Sequence, residues 1–283
     1  MTVSDALVVG EDWISEHYFT TDTAKESFLA RVLERRKEWE ALEKPGPGTA
    51  PTPTPRSRFR AERARLEELL AALPAEGSES LTGAALEAAE QLDALMRDIL
   101  GFASAEYRLT ERGPMTLVRP VGDEGPAPLA LLRARPVTAV EDLLVKDALT
   151  LAETWEPVDL ADSGAPVLEG AEPVESVSRA LSTLMTDEHG PAFALVLAGQ
   201  WALIAERERW PEGRWLAVNV QLVVERHEMT RGGEVERALT CLDARSLVPT
   251  AEGETWWTAT LEDSAAHTVG VSKDPAGDRK SVV

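Results

Sequence analysis

Ala192-Phe-Ala-Leu-Val-Leu-Ala-Gly-Gln-Trp-Ala-Leu-Ile-Ala205 decides the fold class. Two apolar runs flank Gly199-Gln200, and a glycine-first pair suits a two-residue type II′ hairpin. Both runs are apolar at nearly every position, so the strands are predicted to be covered on both faces rather than on one. Trp215–Val220 reads as a further strand. Upstream, Met115–Arg119 and Pro128–Ala134 read as short strands separated by Gly-Pro turns.

Helices surround these strands. Thr23 and Glu26 fit a capping box that opens a helix ending before Pro45, with Phe28, Val32 and Trp39 on its buried face, beside Leu29 and Leu33. Lys44–Arg56 carries spaced prolines, which lack backbone N–H groups and favour extended geometry, so it reads as a semi-rigid linker. Helices are predicted at about Ser57–Leu73 and Ser80–Leu100, the second stopped by Gly101. Ser176–Asp187, Val220–Glu228, Glu234–Leu242 and Trp256–Val271 follow, and the acidic stretch 155–175 is expected to be a surface loop. The order describes an α/β (α+β) chain: N-terminal helices, then a mixed sheet with flanking helices. Its expected organisation is an aromatic segment and helix over 1–43, a linker over 44–56, an α/β unit over 57–230 and a helical connector over 231–283.

The charge narrows the function. Against 29 Lys and Arg stand 49 Asp and Glu, a formal charge of −20, which disfavours the whole chain as a nucleic-acid clamp. Cys241 is the one cysteine, so neither an intrachain disulfide nor a cysteine zinc cage can form. No apolar run approaches the ~20 residues of a membrane span, so a cytoplasmic protein is expected.

Specific chemistry finds little support. His17, His189, His227 and His267 are scattered, and no metal site is expected. Ser264 and His267 lie three apart on one predicted helix, but no orienting acid or oxyanion hole accompanies them. Neither nucleotide-binding glycine motif occurs. Arg231-Gly-Gly233 reads as a turn, and Cys241 as a buried small hydrophobe.

Phe193 to Lys273 carries an ordered series of landmarks: Val196–Ile204, Trp215–Glu225, Ala238–Leu247 and Leu261–Lys273. Together with Trp13-Ile-Ser-Glu-His-Tyr18 and Val32–Trp39, this series resembles the N-terminal region of large class I S-adenosylmethionine-dependent DNA methyltransferases. These belong to type IIG restriction–modification and to BREX- and DISARM-type phage defence. The resemblance covers about half the chain and implies a nuclease-like sheet preceding a methyltransferase domain.

Two departures limit what it implies. Amino-methylating enzymes of this type hold the flipped base with an Asn-Pro-Pro-aromatic tetrapeptide. Asn219 is the only asparagine and is followed by Val220, so these residues cannot form it. The cofactor loop is also missing, and S-adenosylmethionine is expected only in the absent domain. A PD-(D/E)xK nuclease needs clustered carboxylates for Mg²⁺. The matching strand, Leu129–Arg135, has none, and Glu106-Tyr-Arg108 is the nearest echo. The sheet is therefore read as a degenerate nuclease fold without catalytic, cofactor or metal residues.

The expected function is a non-catalytic N-terminal module of a bacterial DNA (adenine-N6) methyltransferase, encoded as a truncated or split frame. It would serve as scaffold or as a partner- or DNA-positioning domain, with a methyltransferase domain or defence-system subunits as partners. Trp201, Trp210, Trp215, Trp256 and Trp257 are the expected core or interface anchors. The alternatives are an independent acidic interaction protein (a regulator or DNA mimic) and an active nuclease.

Overall fold

The computed structural model describes residues 5–21, 27–74, 83–158, 160 and 171–272, with side chains to His267. Among the described residues, seven strands form one mixed sheet: β1 (Leu7–Gly10), β2 (Tyr107–Arg112), β3 (Met115–Pro120), β4 (Leu129–Arg133), β5 (Phe193–Ala198), β6 (Trp201–Glu206) and β7 (Trp215–Asn219). Their order across the sheet is β1-β7-β6-β5-β4-β3-β2. β4 and β5 run parallel, with Leu129 opposite Phe193, and every other neighbouring pair is antiparallel.

Gly199 and Gln200 connect β5 to β6, and Ala198 pairs with Trp201 across the turn. Gly199 has φ +67° while Gln200 stays at negative φ, the pattern of a glycine-first type II′ hairpin. The central strands alternate between two cores. Leu129, Leu131, Leu195 and Ile204 face one, and Ala130, Leu132, Val196 and Leu203 face the other. Both faces of the hairpin are thus covered, and all twelve of its strand residues are buried.

The first face carries most of the helices. α2 (Phe28–Glu43), α3 (Pro55–Ala71), α4 (Ala84–Ile99), α6 (Val220–Arg226), α7 (Glu234–Leu242) and α9 (Trp256–Ser272) all place apolar residues there. The short α1 (Glu16–Thr20) and α8 (Ala244–Leu247) complete this layer. The second face is covered by α5 (Val177–Thr186), a 3₁₀ turn at Val140–Leu144 and the long connection leaving β4.

Several boundaries differ from the sequence reading. Ser27 caps α2 by accepting the Ala30 amide at 3.3 Å, and the Thr23/Glu26 capping box lies outside the described residues. α3 begins two residues early because Thr54 caps it and Pro55, needing no amide partner, occupies the first position. Thr54 is buried and hydrogen-bonded to Glu43, so the end of the proline-rich stretch is docked on α2. α4 begins at Ala84, behind Gly83; Ser80 and Leu81 lie outside the described residues. In the stretch expected to be a surface loop, Trp155 and Val174 are buried and exchange both backbone hydrogen bonds at 2.8 Å. Their apolar side chains close the second core. β1 and β2, both at sheet edges, were not expected: β1 is four residues long, and β2 lacks apolar alternation.

Candidate functional site

A cavity of about 360 Å³ opens beside the carboxyl ends of β4 and β5, the one parallel pair. In open α/β sheets that end is where ligands collect, because connections leaving parallel strands diverge there. α4 forms one wall with Leu92, Asp93 and Met96. The segment leaving β4 supplies Arg133 and Pro136, and the β5–β6 turn supplies Gly199.

The turn and the β4 exit are locked together. Gln200 Nε2 donates to the Val137 and Thr138 carbonyls at 3.1 and 3.0 Å, and Trp201 Nε1 donates to the same Thr138 carbonyl at 3.1 Å. The approach is close enough to require glycine. A Cβ at Gly199 would lie 2.7 Å from Pro136 Cβ and 2.9 Å from Leu73 Cδ1, on a backbone already in the left-handed region.

α4 is fixed to the sheet by both apolar and polar contacts. Leu92, Met96 and Ile99 enter the core, while Asp93 and Arg97, one turn apart, flank that stripe. Arg97 Nε lies 2.9 Å from Asp93 Oδ2, and Arg97 Nη1 donates to the buried Thr116 hydroxyl on β3 at 3.0 Å. Thr116 in turn donates to Glu111 on β2 at 2.7 Å. Arg133, at the end of β4, pairs with Glu153.

Asp93 is the most perturbed group in this site. Its side chain is 15% exposed, and burial pushes its carboxyl above the ordinary aspartate range against the pull of Arg97 and Arg133. Its Oδ1 atom is buried and has no hydrogen-bond partner among the described residues. The cavity wall is mixed: Leu92, Met96, Leu197 and Pro136 stand beside Glu90, Arg133, Arg135 and Glu153.

Other residues singled out from the sequence are placed elsewhere. Trp201 and Trp215 are buried in the second core, and Trp201 also lines the cavity. Trp257 is fully buried, with its Nε1 donating to the Cys241 carbonyl at 2.9 Å. Trp256 is half-buried beside Trp257, and half-buried Trp210 donates to Ser182 at 3.1 Å. Ser264 accepts the Ser15 amide, while His267 stacks on His17 with ring centroids 5.0 Å apart. Cys241 is fully buried, and burial raises its thiol pKa.

Gly232, in the Arg231-Gly-Gly233 turn, gives its amide to Glu236 at 2.8 Å, a carboxylate of this chain. Glu106 lies just before β2 and pairs with Arg245 at 2.8 Å, two strands away from β4. Among the described residues, no three His, Cys, Asp or Glu side chains converge as metal ligands. No described helix is long and apolar enough to cross a membrane.

Sequence reasoning passed over Asp93. Its signal was a single acid beside the buried stripe of α4, spaced four residues from Arg97 like any surface ion pair. No family model, curated protein or solved structure matches the chain.

Proposed function

We propose that this chain is a non-catalytic scaffold module of a bacterial DNA (adenine-N6) methyltransferase in restriction–modification or phage defence, working in the cytoplasm. Methyl transfer and S-adenosylmethionine binding would belong to a separate methyltransferase domain, and this chain would hold that domain or defence-system subunits.

The observation that supports this reading is spatial. The helical landmarks of the resemblance, far apart in sequence, pack together on one face of the sheet: Trp13 and Tyr18, Val32 and Trp39, Ala238 to Leu247, and Leu261 share one core, and the strand landmarks lie in the sheet beneath them. Trp13 packs edge-on against Trp257 at 5.9 Å, and Arg31 on α2 pairs with Asp263 on α9. Arg35 on α2 reaches the Arg245 carbonyl and the Ser246 hydroxyl at 3.2 and 3.3 Å. A nuclease-like sheet put to structural use also suits the polar groups around β4, where Asp93 is ion-paired with Arg97 and Glu153 with Arg133.

Reconstitution tests the proposal. The purified chain is mixed with the product of the adjoining reading frame, and co-elution and methyl transfer to unmethylated DNA are measured. A stable complex that methylates adenine, with no transfer by this chain alone, is the expected result. A neighbourhood with no frame encoding an Asn-Pro-Pro-aromatic motif overturns it, and so does a methyltransferase that elutes separately and is fully active.

A further inference from the structure

β2 leaves one edge of the sheet open along its length. Val121 donates its amide to the Glu106 carbonyl at 2.9 Å, which sets the alternation of the β2–β3 ladder. Arg108, Thr110 and Arg112 therefore bond to β3, and Leu109 turns its amide and carbonyl outward. The Tyr107 carbonyl and the Glu111 amide point the same way. None of these four groups has a backbone partner among the described residues. Leu109, in the middle of the row, is 39% exposed. At the opposite edge, β1 is four residues long and its Leu7 is 4% exposed.

Charge selects what can occupy the β2 edge. A second copy related by a two-fold axis normal to the sheet pairs antiparallel and keeps the two faces in line. Residues directly opposite one another then have Cβ atoms ~4.5–5.5 Å apart, where like charges repel. An axis at Thr110 sets Arg108 against the second copy's Arg112. An axis at Arg108, Glu111 or Arg112 sets that residue against itself. An axis at Tyr107 draws on the turn before β2, where the Tyr107 amide already donates to the Ser104 carbonyl at 3.2 Å. The axis at Leu109 brings no like charges together. Leu109 then faces Leu109, Tyr107 faces Glu111, Arg108 faces Thr110, and Glu106 stands across from Arg112. Arg112 has the Glu111 carbonyl as its hydrogen-bond partner and no carboxylate among the described residues.

We propose that this chain forms a two-fold dimer through β2, with Leu109 on the axis and the two sheets joined into one. The Leu109 residues exchange two backbone bonds, and each Glu111 amide donates to the opposite Tyr107 carbonyl. The pairing does not depend on the scaffold reading. A short edge buries little area, so the dimer is weak and concentration-dependent.

Sedimentation velocity of the full chain at rising concentration tests it, at physiological ionic strength so that the formal charge of −20 is screened beyond ~8 Å. A monomer–dimer equilibrium is expected. Thr110→Glu, facing the other copy's Arg108 twice in the dimer, should associate at least tenfold more tightly than Thr110→Lys. Net charge alone would give the reverse order. Leu109→Cys should form an interchain disulfide with oxidised glutathione, because a hydrogen-bonded pair places its Cα atoms ~5.5 Å apart. Val121→Cys, at a position 64% exposed, should not. A chain that stays monomeric throughout overturns the dimer. A dimer that Thr110→Lys forms as tightly as Thr110→Glu, or that cross-links as readily through Val121→Cys, overturns this edge and register.

Discussion

Glu236 on α7 places Oε1 2.6 Å from Nη1 of Arg36 on α2, with its side chain only 1% exposed. Arg56 of α3 lies 3.5 Å from the same oxygen, and the other oxygen accepts the Gly232 amide. One carboxylate thereby joins three helices and a turn. Removing one partner of a buried pair leaves the others desolvated and uncompensated, so Glu236→Ala should cost roughly 3–5 kcal/mol. Urea denaturation reads this directly. Glu40→Ala, at the wet end of the same cluster, should leave the midpoint almost unmoved.

Trp257 offers a second measurement. Its ring is fully buried against Trp13, and its Nε1–H occupies the Cys241 carbonyl. Trp257→Ala should destabilise the fold by about 3–5 kcal/mol through the cavity it opens. Trp257→Phe keeps most of the apolar volume and orphans the carbonyl, for a smaller loss of about 1–3 kcal/mol. Equal losses for the two variants would show that packing contributes nothing beyond the hydrogen bond.

The hairpin turn is equally specific. Gly199→Ala must force a side chain against Pro136 and Leu73 from a left-handed backbone, and should cost about 1–3 kcal/mol. Gly46→Ala has open space around its new methyl and should be close to neutral.

Acid should act in two opposite directions. Asp243 is fully buried, and burial raises its carboxyl pKa despite Arg35 and the Arg245 amide. A carboxyl that binds its proton more tightly folded than unfolded adds stability at low pH, and that contribution fades as pH rises through the folded pKa. Glu43 is the reverse: burial pushes it up, but hydrogen bonds from Arg56 and Thr54 outweigh burial and hold it below its usual value. Its contribution is present above the ordinary glutamate range and is lost as pH falls through the lowered pKa. From neutral pH towards pH 4, wild type should therefore gain stability relative to Asp243→Asn. Below pH 4.5 it should lose its advantage over Glu43→Gln. Chemical denaturation across that range checks both slopes.

Much of the fold could be read from local pattern. The Gly199 turn, the doubly buried strands around it, and the buried face of α2 all follow from short-range pattern. The two edge strands could not be read that way. β2 has three charged residues in six, Arg108, Glu111 and Arg112, as edge strands do to discourage indiscriminate pairing with other chains. β1 is a strand because β7 offers it a free edge, from Leu7 opposite Val218 to Gly10 opposite Trp215. The cavity was less legible still. Asp93, Arg133 and Gly199 meet only through the parallel pairing of β4 with β5, and nothing near Asp93 in sequence announces that the residue lines a cavity.

The bond from the Ser15 amide to Ser264, 249 residues away, also has a meaning in time. A ribosome adding about 5–20 residues per second takes roughly 12–50 s to cover that separation. For nearly all of that interval Trp13 and Tyr18 have been made while Trp257 and His267, the rings they pack against, have not. The aromatic segment around Trp13 and Tyr18 is thus made long before the rings that bury it, and its burial must wait for the carboxyl-terminal helix.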